Sequence, residues 1–321
     1  MQKIIAILLS AFILGSSALM ASDCCRWTVR RFCETNDWPS PINIDIGGGF
    51  RRDKFKWSIA GPNKTPDVLS KLEWRDLRIA LVEGSASYVS CRNYAIQVSA
   101  DYGHIYHGKN IDSDFLSDDE EDLFSRSISK AGKGHVYDVS GAVGYRVTST
   151  CGRFVATPLL GYSHHAQYLH IYDGHQVFDL FDGLLGPIPG LNSRYIAHWF
   201  GPWVGITFAA RVESCAYVFG SFDWHFFLYR AKGHWNLRPD ISSFHHESTA
   251  HGWTATLGGN WEIWNNWSIG IVVTYRDFIS SDGDEKLTVF DPILGPIRVR
   301  TRFNGARLFS GAVSGIIAWR F

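Results

Sequence analysis

The strongest constraint on this chain is a period of two in its apolar residues. Trp253, Ala255, Leu257, Gly259, Trp261 and Ile263 fall on one side of an extended backbone, and Thr254, Thr256, Gly258, Asn260 and Glu262 on the other. After a tight turn at Asn265-Asn266 the pattern resumes. Trp267, Ile269, Ile271, Val273 and Tyr275 then oppose Ser268, Gly270, Thr274 and Arg276. The same alternation sets Tyr94, Ile96, Val98, Ala100 and Tyr102 against Gln97, Ser99 and Asp101. It also sets Tyr137, Val139, Gly141, Val143, Tyr145 and Val147 against Asp138, Ser140, Ala142 and Arg146. Successive side chains of a strand point to opposite faces, so these segments are strands with one apolar face.

A soluble sandwich and a membrane barrel both carry such strands. Three features favour the barrel. Many strands begin and end with Trp or Tyr, as an interfacial girdle requires. Short turns alternate with long polar stretches. The chain ends at Phe321 with Trp319, Ile317 and Val313 on the same face, like a C-terminal outer-membrane insertion signal. Past the N-terminal segment no apolar run reaches the roughly 20 residues of a spanning helix. Only helices and closed barrels satisfy every backbone group in lipid.

The expected fold is therefore all-β, a transmembrane antiparallel β-barrel of about ten strands. They are expected near 41–57, 68–89, 94–108, 134–148, 153–173, 194–212, 216–231, 250–264, 267–282 and 305–321. Short turns are expected near 90–93, 149–152, 213–215 and 265–266, facing the periplasm. Long loops are expected near 58–67, 109–133, 174–193, 232–249 and 283–304, facing outward. Ahead of the barrel, residues 1–21 read as a secretory signal peptide, with Lys3, an apolar core from Ile4 to Gly15, and Ala21 at the cleavage point. Residues 22–40 then form a periplasmic N-terminal segment, and 41–321 the barrel. The expected place is the bacterial outer membrane, with its lipid and lipopolysaccharide as partners.

The 31 basic and 31 acidic residues cancel, which excludes an electrostatic case for nucleic acid. No cofactor motif is present, and the cysteine spacing does not fit zinc. The six cysteines are nonetheless ordered. Cys24, Cys25 and Cys33 precede the first strand, and Cys91, Cys151 and Cys215 fall in three short turns. All map to the periplasmic end, where an oxidising compartment favours disulfides within the chain or to other cysteine-containing envelope proteins. The pairing is open.

Several stretches carry family resemblances. "INIDIGGGF" and "SKLEWRDLRIALVEGSASY" resemble the first two strands of the omptins, ten-stranded outer-membrane aspartyl proteases, and "FNGARLFSGAVSGIIAWRF" resembles their last. "KNIDSDF" resembles the omptin segment that carries a water-activating Asp pair, which implies Asp112 and Asp114 in that role. The remaining omptin motif, Asp-x-His, corresponds to "RAKGHWNLRPD". There His234 would be the base, with Lys232 where the partner Asp belongs. The chain more closely resembles the Protochlamydia outer membrane protein family, through "PIPGLNSRY" and "HWFGPWVGI". That resemblance implies porin-like activity. The functional expectation is a narrow porin-like channel or a structural envelope protein, with an omptin-like endopeptidase as the alternative.

The block Asp118, Asp119, Glu120, Glu121 and Asp122 reads as a solvated acidic loop, or as a carboxylate cluster that concentrates cations at a pore mouth. "FDGLLGPIPG" and "FDPILGPIRV" are near copies. They read as two similar loop turns, or as apolar segments folded inward to narrow the entrance. His164, His165, His170 and His175 cluster on the fifth strand and its loop, without the carboxylate spacing of a metal site.

Overall fold

A computed structural model describes Trp27–Thr28 and residues 40–321, apart from 182–184, 214, 265, 292 and 294. The signal peptide, Cys24, Cys25 and Cys33 lie outside the described residues. Among the described residues ten long antiparallel strands, two of them interrupted, form one sheet, to which the short pieces Trp27–Thr28 and Val147–Ser149 also belong. The ten are β1 (Ile42–Ile59), β2 (Ser70–Val89), β3 (Tyr94–Phe115), β4 (Leu123–Lys130 and Gly134–Tyr145) and β5 (Phe154–Asp179). There follow β6 (Gly186–Arg211), β7 (Ala216–His234), β8 (Ile241–Trp264), β9 (Trp267–Ser280 and Gly283–Asp291) and β10 (Gly295–Arg320). Each strand pairs with its neighbours in sequence, and β10 returns to β1 in a register running from Phe303–Ile59 to Arg320–Asn43. The sheet is thereby a closed barrel. At the closing seam the backbones come close: a Cβ on Gly49 would stand 2.1 Å from the Val313 carbonyl oxygen. Gly47 serves the same seam, where a Cβ would stand 2.9 Å from the Gly315 carbonyl oxygen.

The alternation places the apolar rows on the outside. Ile46, Phe50, Val82, Ile96, Val98, Val143, Leu160, Ile269, Ile271, Val313 and Ile317 are all exposed. These rows form the lipid-facing belt. Its periplasmic edge carries Tyr88, Tyr94, Trp261, Trp264, Trp267 and Trp319, with Trp267 stacked on Trp319 at 6.0 Å between ring centroids. On β1 the belt ends at Phe50, because the next outward residues are Arg52 and Lys54.

The strands are longer than the sequence pattern predicts. A spanning β-strand needs about 9–11 residues, whereas β5, β6 and β10 each have 26. The expected long loops at 109–133, 174–193, 232–249 and 283–304 are largely strand, and the hairpins that join them are short. "KNIDSDF" accordingly lies on β3 rather than in a loop. The physical reason is that alternation here contrasts polar outside with aromatic inside, so the outward apolar row disappears once the strand leaves the lipid. Outward ion pairs replace it, among them Arg307–Asp277 at 2.7 Å and Arg52–Asp76 at 2.7 Å.

The described residues of the two near-copied segments lie at the β5–β6 and β9–β10 hairpins. Phe181, Leu185, Phe290 and Ile293 are exposed there, so they do not fold inward to narrow the entrance.

Orientation is testable. Ile271→Arg, on the lipid face, should cost about 2–4 kcal/mol of folding stability, read as the loss of the heat-modifiable folded band on electrophoresis. The lumen-facing Thr274→Asn should cost much less. Equal effects would contradict the assigned faces.

Candidate functional site

The inward residues divide the lumen into three layers. The outermost is a dry aromatic plug. Phe55 and Trp57 of β1, Trp74 of β2, Tyr195 and Trp199 of β6, Phe227 and Tyr229 of β7, Phe244 of β8, Phe278 of β9 and Phe303 of β10 are all buried. Trp57 stacks on Tyr195 at 5.3 Å, Tyr229 on Phe303 at 5.6 Å, and Trp199 lies 4.5 Å from Tyr229. A ten-stranded barrel is only slightly wider than one that side chains just fill, and these large rings fill it.

A polar thread runs through the plug. His246 Nε2 donates to Glu285 at 3.3 Å, so its Nδ1 accepts from the Tyr195 hydroxyl at 2.7 Å. Tyr229 in turn donates to the Tyr195 oxygen at 2.8 Å. This order follows from the carboxylate accepting only. Burial holds His246 below the ordinary imidazole range, consistent with a neutral ring that needs one donor and one acceptor. Thr301 donates to the second oxygen of Glu285.

Beneath the plug lies a charged waist. Arg51 grips Asp53 with two bonds of 2.8 Å and reaches Asp138 at 2.6 Å. Arg276 contacts Asp101 at 3.0 Å and Asp138 at 3.2 Å. His165 Nδ1 sits 2.9 Å from Asp138, and Gln167 donates to Asp53 at 3.4 Å. His225 bridges Ser163 and Thr254, each at 3.2 Å. Removing one partner of a buried pair typically costs about 3–5 kcal/mol, because the other charge is left uncompensated. The waist therefore locks β1, β3, β4, β5 and β9 in register.

The third layer is a cavity of about 360 Å³ that extends to the periplasmic rim. Its walls include Asn43, Asp45, Glu83, Asp101, Asp223 and Arg320. The small inward residues Ser140, Ala142, Thr254 and Thr256 leave this space.

The residues singled out from the sequence fall in different places. Asp112 lies directly opposite Leu72, and Asn110 opposite Trp74. Leu72 and Trp74 belong to the plug's core, so Asp112 and Asp114 face the lumen at its outer mouth. Burial, and Asp114 beside it, push the Asp112 carboxyl well above the ordinary range. Burial also raises Asp114, against the opposing pull of Arg238. On β7, Tyr229 and Ala231 are buried while Lys232 and His234 are exposed. His234 therefore stands on the outward face of β7, and the structure does not bring it onto the face that carries the Asp pair.

The acidic block forms the β3–β4 hairpin with a short 3-10 turn, Asp118–Glu120. It docks on its neighbours. Asp118 accepts from the Asp67 amide at 2.7 Å, Glu120 pairs with Lys71 at 2.7 Å, and Ser117 donates to Asp122 at 2.6 Å. The histidines of β5 split between faces: His165 joins the waist, while His164 hydrogen-bonds His198 at 3.0 Å. Among the described residues no group of three or more His, Cys, Asp or Glu is arranged to hold a metal.

The plug escaped the sequence reading, and of the waist only Asp101, Asp138, Thr254 and Arg276 were turned inward by alternation. The signal was present in "FRRDKFKW", where Arg51, Asp53, Phe55 and Trp57 alternate with Arg52, Lys54 and Lys56.

Closed antiparallel strands, an apolar outer belt and aromatic edges define an integral β-barrel protein of the bacterial outer membrane. The chain belongs to the Protochlamydia outer membrane protein family, whose model matches residues 45–321. Its fold is similar to the outer membrane protease OmpT from Escherichia coli, with a TM-score of 0.74 at 13% identity over 89% of this chain and 99% of that one. The translocator domain of the autotransporter NalP from Neisseria meningitidis is a more distant likeness, with a TM-score of 0.32 at 9% identity over 98% of each chain. The CymD monoaromatic hydrocarbon channel gives 0.34 at 10% identity over 88% and 89%. No curated protein matches the chain.

The raised Asp112 has a consequence for stability. Its folded carboxyl holds a proton at a pH where the unfolded one, near 3.9, has lost it. The folded state then binds more protons, so this group's contribution falls as pH rises above about 4. Asp112→Asn should stabilise the barrel by about 1 kcal/mol at pH 7, with the gain vanishing below about pH 4. Thermal melts in detergent across pH 3.5–8 check this, and a pH-independent gain would contradict it.

Proposed function

We propose that this protein is a structural component of the cell envelope: a closed barrel tied at its periplasmic end by disulfides, with no standing pore. The observation that carries the reading is the filled lumen. A path for solutes would have to cross the aromatic plug and then the waist in which Arg51 and Arg276 meet Asp53, Asp101 and Asp138. A porin-like pathway through this barrel requires both layers to rearrange.

The periplasmic anchoring is supported by placement. Cys91, Cys151 and Cys215 stand in or beside the turns at one end of the barrel. At the same end Trp27–Thr28 pairs antiparallel with the short strand Val147–Ser149, which brings these two residues against the barrel rim. The sequence flanking them carries the other three cysteines. On the outer side, the four cations Arg52, Lys54, Arg78 and Arg307 stand just above the lipid belt against the two carboxylates that pair with the arginines, Asp76 and Asp277, and the remaining positive excess suits the phosphates of lipopolysaccharide.

A second reading, an endopeptidase, rests on Asp112 and Asp114 lying side by side at the outer mouth of an omptin-like barrel. In that reading the pair would activate water, with His234 as base only after the β7–β8 hairpin had turned it inward.

In planar bilayers the purified protein should give no steady conductance, and its envelope form should shift to lower mass on reduction. A stable ohmic conductance would overturn the closed-barrel reading; unchanged mobility on reduction would overturn the cross-linking. Cleavage of a dibasic peptide, lost in Asp112→Ala, would establish the endopeptidase instead.

A further inference from the structure

The periplasmic cavity is lined by more carboxyl groups than guanidinium groups. Five carboxylates line it, from Asp45, Glu83, Asp101, Asp138 and Asp223, against three guanidinium groups, from Arg146, Arg276 and Arg320. Arg276 serves Asp101 and Asp138 together. Asp45 accepts from Ser85 at 3.1 Å, and Glu83 lies within electrostatic range of both Asp101 and Asp45, which are like charges. The walls thus hold two carboxylates in excess.

A separate observation points to what is missing. His165, at 5% exposure, lines the cavity's roof. With its Nδ1 engaged by Asp138, its Nε2 has no hydrogen-bond partner, and in the neutral ring that atom is an acceptor. Asp223, two residues from His225 on the same face of β7, has one oxygen in the same condition. Both atoms lack a donor, whereas Arg276 Nε on the same wall lacks an acceptor. An anion supplies none, a neutral solute leaves the charge excess standing, and the described residues provide no metal site. An alkylammonium group supplies three N–H donors and a positive charge.

We propose that this cavity is a binding site, entered from the periplasm, for a small organic dication of the primary-diamine class. One ammonium meets His165 Nε2 and Asp223 beneath the waist, and the other meets the carboxylates of Glu83 and Asp45 nearer the rim. The volume of about 360 Å³ lies at the lower end of the range for small-molecule pockets, which suits a short aliphatic chain. The inference is independent of conduction, since the site lies wholly below the plug.

The test is calorimetric titration of the full-length protein, folded in detergent micelles, with 1,4-diaminobutane. One-to-one binding is expected, with n-butylamine about tenfold weaker and succinate inert, because each charged hydrogen bond is worth roughly a tenfold change or more. Asp223→Asn should weaken the diamine about tenfold while keeping the heat-modifiable folded band. Glu83→Gln provides the same comparison should Asp223→Asn not fold. Asp112→Asn, at the opposite mouth, should bind like the unaltered protein. Absence of binding to the folded protein would overturn the proposal. So would undiminished affinity in the folded carboxamide variant, or loss of binding in Asp112→Asn.

Discussion

Everything in this structure follows from the need to pair backbone groups in a medium that offers none. Across the hydrocarbon core each unsatisfied N–H or C=O costs several kcal/mol, so the sheet must have no edge. The pairing of β10 with β1 removes the edge. Gly47 and Gly49 let the two backbones meet there, and the C-terminal Phe321 exchanges hydrogen bonds with Ile42 to finish the seam.

Closure at ten strands then dictates the interior. The cylinder is far narrower than the wide channels of 16-stranded barrels and slightly too wide to be filled by small side chains. Its outer half is filled with rings, and hydrophobic burial stabilises the part of the barrel that stands clear of lipid. Four buried polar side chains of that half are joined in the Glu285–His246–Tyr195–Tyr229 thread, while the indole N–H groups of Trp57, Trp74 and Trp199 stay unpaired among the rings. At the waist, guanidinium groups are shared among carboxylates from separate strands, so that charge offsets charge where water is excluded. Small residues take over below, and space opens toward the periplasm. The layering gives the barrel a closed outer face and an open, acidic inner one.

The belt was legible because lipid imposes a simple contrast: one face of each strand apolar, the other not. Together with the turn residues, that contrast located the ten strands and their short turns, although the second and sixth strands alternate poorly. It failed above the belt for the same reason it succeeded within it. On β3, Lys109, Asn110, Asp112 and Asp114 look like a polar loop, yet Asn110 and Asp112 sit opposite Trp74 and Leu72 in a regular ladder. The Asp pair was visible as a motif, and its lumenal placement depended on that ladder. His234 was legible only as a residue type. Its outward placement is set by the inward Tyr229, Ala231 and Gly233 of β7, whose burial comes from rings on β6 and β8 that local sequence does not reveal. Networks such as Arg51–Asp138–Arg276 join residues far apart in the chain, so no local pattern announces them.

The claim beneath all of this is that the sheet has no free edge. Backbone amide hydrogen exchange, followed by mass spectrometry on the protein in lipid nanodiscs, tests it directly. The account predicts that amides of residues 43–50 and 311–320 exchange as slowly as those of interior strands β6 and β7. Rapid exchange along either terminal strand would show an open sheet and contradict it.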